Sequence, residues 1–143
     1  MKKIVLLAST CLIMSTVFAY DPNSKVLKAF SETFAAAQNI KWQEFADHYS
    51  VSFLYSGIQS KLNYDLEGNI LGSTRYYDPA ALPMNIFTKL KRENPNRELF
   101  GVTEITVGDD MVYFVKMHDA KHWITLKVDP SGNSQVYEKY RKG

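Results

Sequence analysis

Tyr64, Asp65, Leu66, Glu67, Gly68 and Asn69 return 64 positions later as Val128, Asp129, Pro130, Ser131, Gly132 and Asn133. The same displacement carries Tyr49 onto Tyr113, Val51 onto Val115, Phe53 onto Met117, Leu62 onto Leu126 and Tyr76 onto Tyr140. A self-similar period of this length marks a duplicated supersecondary unit whose copies bury their apolar faces together. Whatever the first half builds, the second is expected to build again.

The first half opens with a helical pattern. Ser24 is the expected N-cap; Val26, Leu27, Phe30 and Phe34 recur at helical spacing, Ala35, Ala36 and Ala37 extend the segment, and Asn39 ends it. Strand-like runs follow at 40–45, 49–55, 60–64 and 70–77. Asp65 to Gly68 turns one strand into the next, with Gly68 suited to a positive φ. Asp78, Pro79 and Pro83 form the linker. In the second half Pro83 starts a helix carrying Ile86, Phe87 and Leu90, with Lys89, Lys91 and Arg92 toward its carbonyl end, and Asn94 and Pro95 stop it. Strands are expected at 99–107, 111–118, 122–128 and 135–140. Consecutive hairpins make the sheet antiparallel. The expected fold is α+β: two tandem helix-plus-strand repeats, about 24–78 and 83–140, forming a two-layer sandwich with both helices on one face of a roughly eight-stranded antiparallel sheet.

Residues 1–19 read as a signal peptide. Lys2 and Lys3 precede the apolar run from Ile4 to Phe18, and Val17 and Ala19 supply the small residues read before cleavage ahead of Tyr20. The run is too short for a membrane span, so export to the periplasm or medium without stable membrane insertion is expected. The leader removes two of the 17 Lys and Arg, leaving residues 20–143 with 15 bases against 15 acids. A formally neutral domain has no electrostatic case for nucleic acid. Cys11, the one cysteine, lies in the leader, so the remaining chain cannot form a disulfide. A single domain is expected over 20–143.

Strand alternation separates two faces. With Val51 and Phe53 toward the helices, the repeat sends Tyr113, Val115 and Met117 there too, and Ile124, Leu126 and Val128 on the next strand. The opposite phase leaves Phe114, Lys116, His118, Trp123 and Lys127 on the helix-free face. Aromatic anchors with cationic flanks are the residue types that dominate protein interfaces, so these five are the candidate binding residues.

Ile40 and Trp42, Val51 and Phe53, Asp65 and Gly68, Leu82 and Pro83, Tyr113 and Val115, and Asp129 and Gly132 follow an order and spacing that resembles the small exported bacterial proteins called PepSY-like or beta-lactamase-inhibitor-like. The resemblance spans roughly residues 24 to 140. It implies two tandem units joined into a sheet whose concave face is free, and a role in binding or inhibiting a secreted enzyme such as a peptidase through that face. The chain departs from the true beta-lactamase inhibitors in lacking their disulfide cysteines.

Catalytic and metal readings have little support. His118 and His122 are four apart around Asp119, Ala120 and Lys121, which read as a hairpin tip offering no fourth zinc ligand. His48 has no nucleophile in a recognisable elbow. The two Asp-x-x-Gly turns lack the oxygen-rich run of a calcium loop. No cofactor is expected and the chain reads as a non-enzyme, an exported protein-binding module. The alternative is a small-ligand carrier, which needs a cavity between helices and sheet that Phe30, Phe34, Phe53, Phe87 and Tyr113 are expected to fill.

Overall fold

The computed structural model describes residues 21–143, so the leader and its cleavage point lie outside the described residues. Helix α1 (Ser24–Thr33) is followed by strands β1 (Gln38–Glu44), β2 (His48–Tyr55), β3 (Ile58–Asp65) and β4 (Ile70–Tyr77). A 3₁₀ turn at Pro79–Ala81 leads into helix α2 (Met84–Glu93). Strands β5 (Glu98–Val107), β6 (Asp110–His118), β7 (His122–Val128) and β8 (Ser134–Arg141) complete the chain. All eight strands form one antiparallel sheet in sequential order, with both helices on one side.

Each helix is held by a short apolar stripe and stopped by local chemistry. The cap of α1 is Asn23 rather than Ser24: its side-chain oxygen accepts the Val26 N–H at 3.0 Å. The helix ends at Thr33 with Phe34 as C-cap, four residues short of the alanine-extended expectation. Those alanines carry helix propensity but nothing large enough to bury, and packing outweighs propensity. In α2, Ile86 and Leu90 are buried, Lys91 and Arg92 face the negative end of the helix dipole, and the Asn94 N–H and side-chain amide both donate to the Leu90 carbonyl.

Strand pairing bears out the displacement of 64 over three strands. Tyr49 pairs with Tyr64 and Val51 with Leu62; 64 residues on, Tyr113 pairs with Val128 and Val115 with Leu126. The helices and leading strands instead follow a displacement of 60. Val26 and Phe30 in α1 correspond to Ile86 and Leu90 in α2, and Trp42 opposite Val51 corresponds to Val102 opposite Val115. The difference lies in the β5–β6 hairpin, which runs four residues longer and closes at Val107 opposite Asp110. A single period therefore misplaces the first helix and strand of one copy on the other.

Two hydrophobic clusters result, one beneath each helix. The first gathers Val26, Phe30, Val51, Phe53, Leu62 and Tyr64, with Trp42 and Phe34 packed against it. Phe30 is its hub, with ring centroids 5.0 Å from Phe53 and 5.2 Å from Trp42. The second gathers Ile86, Leu90, Val102, Val115, Met117 and Leu126. Each fully buried side chain of this size contributes about 1.5–3 kcal/mol of transfer free energy.

The two Asp-x-x-Gly turns brace the helices. Asp65 accepts the Glu67 and Asn69 N–H groups and the Asn69 amide, and Asp129 accepts the same pair from Asn133. Gly68 (φ +90°) lies so close to α1 that a Cβ there would stand 3.1 Å from the Lys25 carbonyl. The Asn23 amide donates to Leu66 O across this contact, and Lys25 pairs with Glu67. Among the described residues no helix is long and apolar enough to cross a membrane.

Candidate functional site

The pleat of β5 to β8 sends alternate residues to the face that no helix covers. Tyr113, Val115 and Met117 are buried under α2, so Phe114, Lys116 and His118 stand on the open side; Trp123 and Lys127 join them from β7. All five sequence-selected residues thus share one face. They divide into neighbourhoods. His118 lies opposite Trp123 with rings 5.2 Å apart, and Phe114 lies opposite Lys127, with the Lys116–Thr125 pair between.

The structure adds partners from beyond those strands. Phe100, released by a β-bulge between Leu99 and Gly101, brings its ring 5.6 Å from Trp123 and 5.7 Å from His118. Tyr140 pairs with Trp123 across β7–β8, and Lys142 sets its ammonium 4.4 Å from the Trp123 ring centroid. A second bulge, at Tyr137 on β8 opposite the Thr125–Leu126 step of β7, lets that residue meet Phe114 edge-on at 4.9 Å. Alternation alone assigns neither Phe100 nor Tyr137 to this face, because each bulge shifts the period by one residue. Tyr76 was selectable, since Tyr140 repeats it; it pairs with Thr103, itself opposite Phe114.

Much of this apolar surface is exposed. Trp123 keeps 45% of its area in solvent, Phe100 45%, Tyr137 57% and Tyr140 60%. Beside the aromatics a hollow of about 520 Å³ is lined by Ile105, Val107, Val112, Lys127 and Gln135. A contiguous aromatic and aliphatic patch of this kind marks an interaction surface more often than a solvated one.

The ionisable groups nearby serve structure. Asp119 accepts the backbone N–H groups of Lys121 and His122 at 2.8 Å each, and these bonds hold its carboxyl down to about 2. It also lies 3.1 Å from His122 Nδ1 and 3.6 Å from Arg97, while His118 turns to Glu98 at 3.4 Å. The two imidazoles therefore have separate carboxylate partners. Among the described residues no group of three His, Cys, Asp or Glu side chains is arranged to hold a metal. On the helix side, burial and the Glu104 carboxylate push the Tyr77 phenol far up, and burial alone pushes Tyr64 up to about 12.

No protein-family model matches the sequence and no curated protein is similar to it. The likeness is structural. A BLIP-like protein from Bacteroides fragilis superposes with a TM-score of 0.63 at 16% identity, covering 85% of this chain and 87% of its own. DUF2874 family proteins from Bacteroides ovatus and Bacteroides uniformis give TM-scores of 0.62 and 0.61 at 13% and 15% identity, covering 85% of this chain and 89% and 90% of theirs. At these identities the chain shares their fold.

Proposed function

We propose that this chain is an exported, non-catalytic binding module that captures another exported protein through the aromatic half of its open sheet face. The observation that carries the reading is the exposed cluster of Trp123, Phe100, His118 and Tyr140 flanked by Lys116, Lys127 and Lys142. Trp and Tyr beside a cation are the side chains that supply most binding energy at protein interfaces, and a solvated sheet face needs none of them. The fold shared with a BLIP-like protein is consistent with this reading, and a secreted enzyme such as a peptidase is the partner class that the sequence's resemblance to PepSY-like proteins implies. Export rests on the leader at residues 1–19.

The test uses paired baits. Mature wild-type protein and a Trp123→Ala variant are each passed over an exported-protein extract, and whatever the wild type alone retains is purified and titrated calorimetrically. Trp123→Ala is expected to weaken binding by at least about 2 kcal/mol at an almost unchanged melting temperature. Gln59→Ala, at the position 64 residues earlier, is expected to bind like the wild type. Equal affinity of the Trp123 variant, with the fold intact, would remove this surface from the function.

A further inference from the structure

The helix face holds a second feature, unrelated to the aromatic patch. Eight strands spaced about 4.8 Å apart span about 34 Å, whereas two helices of about 10 Å diameter cover little more than half of that. Each helix sits over its own cluster, and the middle of the sheet is left between them. The large aromatics expected to fill this layer do not close it. Two adjoining hollows of about 440 and 310 Å³ lie there and share Ile58 and Arg75. Phe34, Phe53 and Tyr55 wall one end and Leu82, Pro83 and Tyr113 the other.

The floor of the cleft is charged. Glu104 is 7% exposed, and both its oxygens are engaged: one accepts Arg75 Nη1 at 3.2 Å, the other the Tyr77 hydroxyl at 2.6 Å. Its counterpart in the first half, Glu44, sits on the exposed edge strand and merely meets Tyr49 at 3.4 Å. Only at the junction, where β4 flanks β5, does the duplicated glutamate become buried and require a cation. Arg75 answers it with one of five N–H donors; among the described residues no other side chain or carbonyl accepts from the guanidinium. That group stacks 5.5 Å from the Tyr77 ring centroid, and the side chain remains 42% exposed. The result is an arginine fixed by a neutralised acid, with unused donors, in a groove with aromatic and aliphatic walls.

We infer that the cleft between α1 and α2 binds a small amphipathic carboxylate, its head on the free donors of Arg75 and its apolar body against Phe34, Phe53 and Tyr55. A guanidinium presents paired donors that match a carboxylate, and partial burial strengthens that contact relative to water. The Glu104 carboxylate offsets the guanidinium charge, so the carboxylate's advantage over an alcohol lies in offering two oxygens to the paired free donors where a hydroxyl offers one.

The experiment uses decanoate as the probe and decanol as its uncharged twin, followed by NMR chemical-shift titration of the mature protein. Decanoate is expected to bind one per chain, with shifts centred on Tyr55, Arg75 and Tyr77, and at least tenfold more tightly than decanol. Arg75→Gln is expected to weaken decanoate at least tenfold. Because that change leaves Glu104 without its cation and endangers the fold, Ser73→Phe provides a second variant: it fills the groove, keeps the Arg75–Glu104–Tyr77 bonds, and is expected to abolish binding. Trp123→Ala should leave decanoate affinity unchanged, which separates this site from the open face. Equal affinity for decanol, no saturable decanoate site, or a Ser73→Phe variant that binds like the wild type would each overturn the inference.

Discussion

The two halves share a core and differ on the opposite face. Under the helices, Tyr49, Val51 and Phe53 in one copy stand where Tyr113, Val115 and Met117 stand in the other, and all six are buried. On the open side the same strands carry Ser52, Leu54 and Gln59 in the first half, but Lys116, His118 and Trp123 in the second; Ser50, the counterpart of Phe114, is buried between Gln43 and Asn63. The strand registers are superposable, so the backbone does not impose this divergence. Packing against a helix constrains the first set to apolar side chains of matching volume. Nothing in the fold requires the second set to be aromatic. A difference confined to the unconstrained face is where a function is expected to have been grafted onto one copy of a duplicated scaffold.

The sharpest way to break this comparison is at its shared side. Phe53→Ala is expected to cost about 3–5 kcal/mol and Met117→Ala about 2–5 kcal/mol, read by chemical denaturation, because both are essentially without solvent exposure and neither cluster can collapse past its helix. Ser52→Ala, one residue away on the open side, should change stability by less than about 0.5 kcal/mol. If Phe53 and Ser52 proved equally costly, the division into constrained and free faces would fail.

A smaller effect separates the two bracing turns. Gly68 and Gly132 both have positive φ, so alanine at either should cost about 1–2 kcal/mol in backbone conformation. At Gly68 the new Cβ would also stand 3.1 Å from the Lys25 backbone carbonyl, which could make room only by shifting α1, whereas at Gly132 the nearest atom is the flexible Lys89 Cδ at 3.5 Å. Gly68→Ala should therefore be the more destabilising. The reverse order in melting experiments would mean that α1, rather than the turn, gives way.

Much of this was legible from spacing alone, and the failures share a physical cause. Alternation along 49–55 and 111–118 placed every side chain of β2 and β6 on its correct face, because those strands are paired on both sides without a bulge within them. Helix α1 stops short of the alanines because Ala35 and Ala36 are exposed helix formers with nothing to bury, and propensity is a weaker signal than burial. The single period of 64 failed for α1 and β1 because an elongated hairpin shifts them by four residues, and a hairpin extension leaves alternation unbroken. Phe100 and Tyr137 are hidden from the alternation because a bulge reverses which parity faces outward. The Glu104–Arg75–Tyr77 network was invisible for another reason: it joins the two copies across β4–β5, where no repeat relation holds.

The subtlest difference between the halves lies in the hairpins joining β2 to β3 and β6 to β7, which occupy equivalent positions. The first closes through backbone conformation, with Ser56 and Gly57 both at positive φ as a two-residue hairpin prefers. The second closes through a side chain, the Asp119 carboxylate holding the Lys121 and His122 amides. Only the second should therefore respond to acid. Asp119 titrates near 2 when folded, against about 3.9 in an unfolded chain, so its stabilising contribution is complete above about pH 4 and drains away as pH falls toward 2. In an NMR titration the Lys121 and His122 amide resonances should move together with a midpoint near pH 2 while those of Gly57 and Ile58 stay in place. Asp119→Asn should abolish the movement. A midpoint near 4 at Lys121 would mean that the carboxylate is not held by these amides, and equal movement at Gly57 would mean that the two hairpins close by the same means after all.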